Sequence, residues 1–146
     1  MWDSLLEDTT HKDNHRRAIA TQLLCNLAKS DPENRMLEDF PVIVAVTKDD
    51  KFVTARHTLQ SLWKVGGVSS GHQELVLKHL EERFKHCVDE KNYTFIRYDI
   101  IQGLRNLYDV VDEEEIKEKA LKLIELEQDP KYYRNIPKYG KVYNAY

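Results

Sequence analysis

The chain has 146 residues, 32% of them charged, and a formal net charge of −3, which is enough length for one domain with a full core. The mean hydropathy of −0.64 and the lack of an apolar run of about 18 residues exclude a membrane span. The first residues predict no secretory signal, so we expect a cytoplasmic protein. The negative net charge argues against a general nucleic-acid binder.

Seven helices are predicted along the chain. Trp2, Leu5 and Leu6 indicate a short opening helix. The later helices are indicated by apolar residues that recur three, four and seven places apart. They are predicted over 14–28, 33–47, 51–65, 71–88, 92–108 and 113–128.

Capping residues indicate where three of these helices start. Ser30 with Glu33, and Ser70 with Gln73, have the spacing of a capping box, in which the two residues bond each other's backbone N–H groups. Asp112 is predicted to cap the last helix, whose first turn is rich in glutamate and therefore suits the positive end of the helix dipole.

One segment fits two kinds of structure. Residues 40–46 combine Pro41 with a run of β-branched side chains, which favours a strand. A lone strand would have no partner elsewhere in the chain, however. We therefore predict a helix here, with a kink at the proline.

Three arginines indicate an internal repeat. Arg17, Arg56 and Arg97 are 39 and 41 residues apart. Apolar residues follow each arginine at the same offsets, three and seven places on, and so predict one buried face on each of three helices. These residues are Ala20, Leu59 and Ile100, then Leu24, Trp63 and Leu104. The arginines themselves are predicted to be structural, because a guanidinium bonds carboxylates and carbonyls in a fixed fork.

The segment from Asp50 to Trp63 resembles the second helix of a HEAT repeat, in which an aspartate stands six residues before the arginine, as Asp50 stands before Arg56. The resemblance implies that these two side chains link neighbouring repeats. The other two repeats carry His11 and Lys91 at the aspartate position. Over residues 1–128 the resemblance implies an all-α fold, a right-handed α-solenoid of about three HEAT-like helix pairs that presents one face for binding.

The repeat also predicts a binding surface. Residues one, five and eight places after each arginine lie opposite the apolar stripe. In the second and third repeats they are His57, Ser61, Lys64, Tyr98, Gln102 and Arg105. Hydroxyls, an aromatic ring and two cations suit an acidic or polar protein surface. We therefore expect a non-enzymatic protein-interaction scaffold, with no catalytic residues, cofactor or metal.

Two groups of reactive side chains are interpreted as structural. His72, His79 and His86 are seven residues apart on one predicted helix, and about 10.5 Å of rise between neighbours prevents them from sharing one ion. Cys25 and Cys87 are too few for a disulfide framework or a zinc cage. Both are expected to be buried thiols.

Three alternatives remain open, and one is that the chain is an accessory domain of a larger assembly. The HEAT-like DNA glycosylases that act on alkylated bases share this fold class, which implies that a solenoid face could hold a duplex, although none of their catalytic residues is matched here. Homodimerisation is the third alternative, since the exposed ends of repeat proteins tend to associate.

Residues 129–146 are predicted to be a separate tail packed on the repeat domain. From residue 131 onward the tail holds five of the eight tyrosines and four basic residues, with no acid. We expect it to cap the repeats or to contact a protein. Stacking of the tyrosines on nucleic-acid bases is the alternative.

Overall fold

The computed structural model describes residues 1–129 and residue 133. Within those residues every regular element is a helix, which confirms the all-α class. The helices are α1 (Trp2–Asp8), α2 (Asn14–Leu27), α3 (Arg35–Val46), α4 (Phe52–Ser61), α5 (Trp63–Gly66), α6 (Ser70–His86), α7 (Tyr93–Val111) and α8 (Glu114–Leu126). A single 3₁₀ turn, Ala28–Ser30, extends α2.

The ambiguous segment 40–46 lies inside α3, so the helix prediction is confirmed. Phe40, Ile43 and Val46 are buried and recur every three residues, which is the spacing of one helical face. Pro41 is on the exposed side of that helix. Burial of the apolar face therefore outweighs the strand preference of the β-branched side chains.

The chain forms two compact units, Met1–Val76 and Leu77–Tyr146. In the first unit α2 lies alongside α4, parallel and in register. The Asn14 side-chain amide donates to Thr54 Oγ1 at 3.1 Å, 40 residues away. The hydroxyls of Thr21 and Thr58, 37 residues apart, are 2.8 Å from each other. These separations match the 39-residue offset between the first two arginines.

The predicted core residues of the first unit are buried with one exception. Leu24 is 0% exposed and Leu59 is 3% exposed. Leu62 and Val65 join them at 0%. Trp63, however, is only half-buried; it is the first residue of α5 and follows Leu62, where α4 ends.

In the second unit α7 packs against α8. Ile100 and Leu104 are fully buried as predicted, and Ile116 and Ile124 face them from α8. Tyr133 is also fully buried. The remainder of the predicted tail, and hence the prediction that it caps the repeats, lies outside the described residues.

The first predicted capping box does not form. Ser30 ends the 3₁₀ turn, and α3 begins two residues after Glu33, following Asn34 in the left-handed conformation (φ 53°). Asp31 instead supplies an acceptor for the N–H groups at the start of α3. Its carboxylate accepts a hydrogen bond from the Met36 backbone N–H at 2.8 Å.

The other two predicted caps are each displaced by one residue. The side chain at the start of α6 is Ser69, not Ser70, and its hydroxyl accepts a bond from the backbone N–H of His72 at 3.3 Å. Asp112 does not cap α8. It ends α7 in the left-handed conformation (φ 56°), and Glu113 takes the N-cap position.

Candidate functional site

Charge is unevenly distributed over this acidic chain. The chain has 25 Asp and Glu residues against 22 Lys and Arg residues, yet α2, α4 and α5 contain no Asp or Glu. The exposed sides of these helices define what we call the acid-free surface. Its principal side chains are Arg16, Ile19, Leu23, Val53, His57 and Lys64.

The helical spacing places these residues in two stripes. On α2 the exposed stripe runs through Arg16, Ile19 and Leu23, separated by three and four residues. On α4 and α5 it runs through His57 to Lys64. The Lys64 Nζ donates to the Asn26 side-chain carbonyl at 2.8 Å, although the two residues are 38 apart in the chain. The two stripes therefore meet at this hydrogen bond.

The surface exposes aliphatic side chains. Ile19 is 55% exposed, Leu23 is 41% exposed and Val53 is 61% exposed. Isolated apolar residues are ordinary on a protein surface. Ile19 and Leu23, however, are one helical turn apart and form a pair, and adjoining exposed apolar residues rimmed by polar ones are typical of interaction sites.

The exposed cations keep charge available for a partner. Lys64 bonds a neutral amide in Asn26, so its ammonium charge is not cancelled by this contact. Arg16 contacts Asp8 at 3.2 Å, with 54% and 27% of the two side chains exposed. Solvent-exposed ion pairs of this kind are worth about 0–1 kcal/mol, so this carboxylate can be exchanged for one from another molecule.

Arg17, by contrast, points inward. Its Nε and one terminal nitrogen bond the Asp49 carboxylate at 2.7 and 2.9 Å. Its other terminal nitrogen donates to the His11 carbonyl at 2.8 Å. Asp50, which the HEAT resemblance singled out, is 3.6 Å from Arg17 and largely exposed. The hydrogen bonding of the Arg17 guanidinium to Asp49 lowers the pKa of the Asp49 carboxylate.

Arg97 takes the same structural role in the second unit. Its Nε donates to the Phe84 carbonyl at 3.1 Å, and a terminal nitrogen donates to the Glu127 carboxylate at 3.0 Å. The guanidinium also lies 4.4 Å from the Phe84 ring centre and 5.4 Å from that of Tyr93. The structural role predicted for the arginines is therefore confirmed for Arg17 and Arg97.

Three of the six predicted binding residues lie in the first unit. His57 and Lys64 are exposed, as expected. Ser61 is only 9% exposed, so the expectation that it is exposed is wrong. Its hydroxyl donates to the His57 carbonyl at 2.9 Å, which fixes the side chain against its own helix.

The other three predicted residues lie on α7, in the second unit, and are half-buried. The Gln102 side chain donates to that of Asn106 at 3.0 Å. Arg105 pairs with Asp109 at 2.9 Å. Tyr98 is the third. That these three residues form one surface with His57 and Lys64, and that this surface binds a partner, stays a prediction.

Sequence reasoning missed the aliphatic half of the surface. Ile19 and Leu23 follow Arg17 by two and six places, outside the offsets whose apolar residues predicted the core. The sequence did contain a signal for these exposed residues, because the apolar residues of α2 cover more of the helix circumference than one buried face requires. Which of them are exposed depends on the neighbouring helices.

His72 is the most buried histidine, at 2% exposure. Its Nδ1 is 2.6 Å from Ser69 Oγ. Its Nε2 is buried and has no hydrogen-bond partner within the described part of the chain. Burial lowers the pKa of His72, and the nearby Asp31 carboxylate partly opposes this. The other two histidines of the predicted stripe are more exposed than His72.

Both cysteines are buried free thiols. Burial raises the pKa of Cys25 to about 12, and burial likewise raises the pKa of Cys87. Neither thiol is therefore activated as a nucleophile. Among the described residues no group of three or more His, Cys, Asp or Glu side chains could hold a metal ion.

A groove of about 450 Å³ lies between the turn after α1 and the exposed side of α3. Its lining is Thr9, Thr10, Pro41, Val42, Ala45, Val46 and Asp49. The two threonine hydroxyls donate to the carbonyls of Leu6 and Glu7. Asp49 is held by the guanidinium described above. These hydroxyls and this carboxylate therefore bond to neighbouring parts of the chain and have structural roles.

No family model, curated protein or solved structure matches this chain. None of the helices in the described part of the chain is long and apolar enough to cross a membrane.

Proposed function

We propose that this chain is a non-enzymatic protein-interaction module built on HEAT-like repeats, and that its partner binds the acid-free surface. One observation carries the proposal: three adjoining helices of a net-acidic chain lack carboxylates and expose an aliphatic pair between cations. Depletion of Asp and Glu with enrichment of Arg distinguishes protein interfaces from ordinary surface, and the buried core of an interface is also more apolar.

The parallel register of α2 and α4 supports the repeat part of the proposal. Equivalent residues of stacked repeats lie side by side, and here residues 37 to 40 apart are bonded to each other. The sequence column that Arg97 begins carries the same repeat pattern into α7, and about three such helix pairs make the α-solenoid that we propose.

The exposed aliphatic area limits the strength of binding. Full burial of a Val, Leu or Ile side chain is worth about 1.5–3 kcal/mol. Ile19, Leu23 and Val53 are each about half exposed, so covering all three yields roughly 3 kcal/mol before the costs of association. Polar and charged contacts must supply the rest, and the exposed cations provide them.

Site-directed photo-crosslinking tests the proposed surface. A benzophenone amino acid replaces Ile19 or His57 in the full chain, and the chain is irradiated in an extract of the cells that naturally make it. The matched control places the same amino acid at Val110, which is 64% exposed on α7. We expect the same protein adduct from positions 19 and 57 and none from position 110. Adducts of equal yield at all three positions would contradict the proposal.

Nucleic acid is the second candidate partner, through the resemblance to the alkylated-base glycosylases. The lack of carboxylates on α2, α4 and α5 favours it, because phosphates are repelled by acidic residues and attracted by exposed Arg16 and Lys64. The aliphatic pair does not favour it, since a duplex is held mainly through hydrogen bonds and charge contacts to its phosphates, which aliphatic side chains cannot make. A protein partner can contact both the aliphatic side chains and the cations of the acid-free surface.

A further inference from the structure

We infer that the partner segment is an acidic amphipathic helix, with two apolar side chains one turn apart and carboxylates beyond them at both ends. This inference rests on the proposed function and names the class of partner for the same surface. It is carried by the order of the exposed side chains along α2 and by their charge.

The aliphatic pair sets the apolar spacing of the partner. Ile19 and Leu23 are four residues apart on α2, which is about 6 Å along the helix axis. A helix lying along α2 presents its own residues at positions i and i+4 with the same separation. Amphipathic partner helices are recognised through apolar anchors at such spacings.

The cations set the positions of the carboxylates. Arg16 lies one turn before Ile19, and Asn26, which holds the Lys64 ammonium, lies three residues after Leu23. The ten residues from position 16 to position 26 span about 15 Å. Carboxylates about ten residues apart on the partner helix therefore reach both cations while the apolar pair is in contact.

The same charges exclude other segments. A basic helix would place its cations against Arg16 and Lys64, and the carboxylate nearest to them is that of Asp8 on α1, which already pairs with Arg16. A wholly apolar segment would leave the Lys64 ammonium covered without an anionic partner, and burying such a charge is costly. Specificity for an acidic helix thus arises from repulsion of the alternatives as well as from attraction.

Selection from a random peptide library tests this inference. Phage that display random 18-residue peptides are selected on the full chain in about 50 mM salt, and single peptides are then measured by fluorescence anisotropy against wild type and three variants. Leu23→Asp removes an aliphatic side chain of the acid-free surface, and Lys64→Glu removes one of its cations. Val110→Asp is the matched control outside it. Circular dichroism shows whether each variant keeps the helix content of the wild type.

The expected peptides are enriched in Asp and Glu and carry apolar residues at i and i+4. We expect Leu23→Asp and Lys64→Glu each to weaken their binding at least about tenfold, Val110→Asp to leave it unchanged, and affinity to fall as salt rises. Peptides without an acidic excess, peptides that bind Lys64→Glu as well as wild type, or a failure to enrich any peptide would overturn the inference.

Failure of this inference is distinguishable from failure of the proposed function. If positions 19 and 57 still crosslink to a protein in the extract while the selected peptides are not acidic, the surface is an interface of different specificity. If the adduct is a second copy of this chain, the homodimer alternative holds and the acidic-helix inference falls. If neither crosslinking nor selection involves the surface, both proposals fall.

Discussion

Glu127 forms a deeply buried ion pair with Arg97, and removing its charge tests the packing of the second unit. The side chains of Arg97 and Glu127 are 8% and 3% exposed, and they bond at 3.0 Å. The change Glu127→Gln keeps the shape of the side chain and an acceptor oxygen. It leaves the guanidinium without a counter-ion.

The expected loss of stability is about 3 kcal/mol, because breaking one side of a buried pair costs roughly 3–5 kcal/mol. The lower end applies because the Phe84 and Tyr93 rings, 4.4 and 5.4 Å from the guanidinium, still interact with the cation. With an m-value of about 2 kcal/mol/M, the urea midpoint falls by about 1.5 M.

Circular dichroism at 222 nm against urea measures the midpoint. Glu118→Gln, an exposed site on α8, the helix that Glu127 directly follows, is the matched control and is expected to change stability by less than about 0.5 kcal/mol. A Glu127→Gln midpoint within about 0.3 M of the wild type would refute the reasoning. Trp2 and Trp63 are the two tryptophans of the chain, both in the first unit. Their fluorescence therefore reports on the first unit, and comparing its urea midpoint with that from circular dichroism shows whether the two units unfold together.

Three further predictions concern the core, pH and nucleic acid. Leu59→Ala, at a site 3% exposed, is expected to cost about 2–5 kcal/mol in urea unfolding, and an unchanged midpoint would place the leucine outside the core. Because the folded pKa of His72 is below its ordinary 6.5, the unfolded chain binds the proton more readily, and stability is lost as pH falls below about 6.5. His72→Gln should reduce the loss of unfolding free energy between pH 7 and pH 5, whereas exposed His86→Gln should not. Equal slopes of unfolding free energy against pH in the two variants would contradict this. Duplex DNA at about 150 mM salt should bind no tighter than roughly 10⁻⁴–10⁻⁶ M by anisotropy, and submicromolar binding would favour the nucleic-acid alternative.

The repeat offsets predicted the core well, because a buried helical face leaves a periodic record in the sequence. Ala20, Leu59 and Ile100, each three places after an arginine, are all buried. The helix over 40–46 was predictable for a related reason, since a solitary strand cannot satisfy its backbone hydrogen bonds.

Helix ends and exposure were less predictable. Several polar residues near each boundary could serve as a cap, and the structure uses Asp31 and Ser69 where the sequence favoured Ser30 and Ser70. Ser61 is buried although its offset is polar, because a serine whose hydroxyl bonds the preceding turn can be buried at low cost. Such choices depend on neighbouring helices, which a single sequence pattern does not encode.

The most direct test of the acid-free surface combines one perturbation with one crosslink. The photo-reactive residue stays at position 57 on α4, and Leu23→Asp is introduced on α2, in the other stripe of the surface. We expect the adduct formed in the cell extract to fall at least about tenfold with Leu23→Asp and to be retained with Val110→Asp. An adduct of unchanged yield in the Leu23→Asp chain, at unchanged helix content, would contradict the claim that one partner covers both stripes.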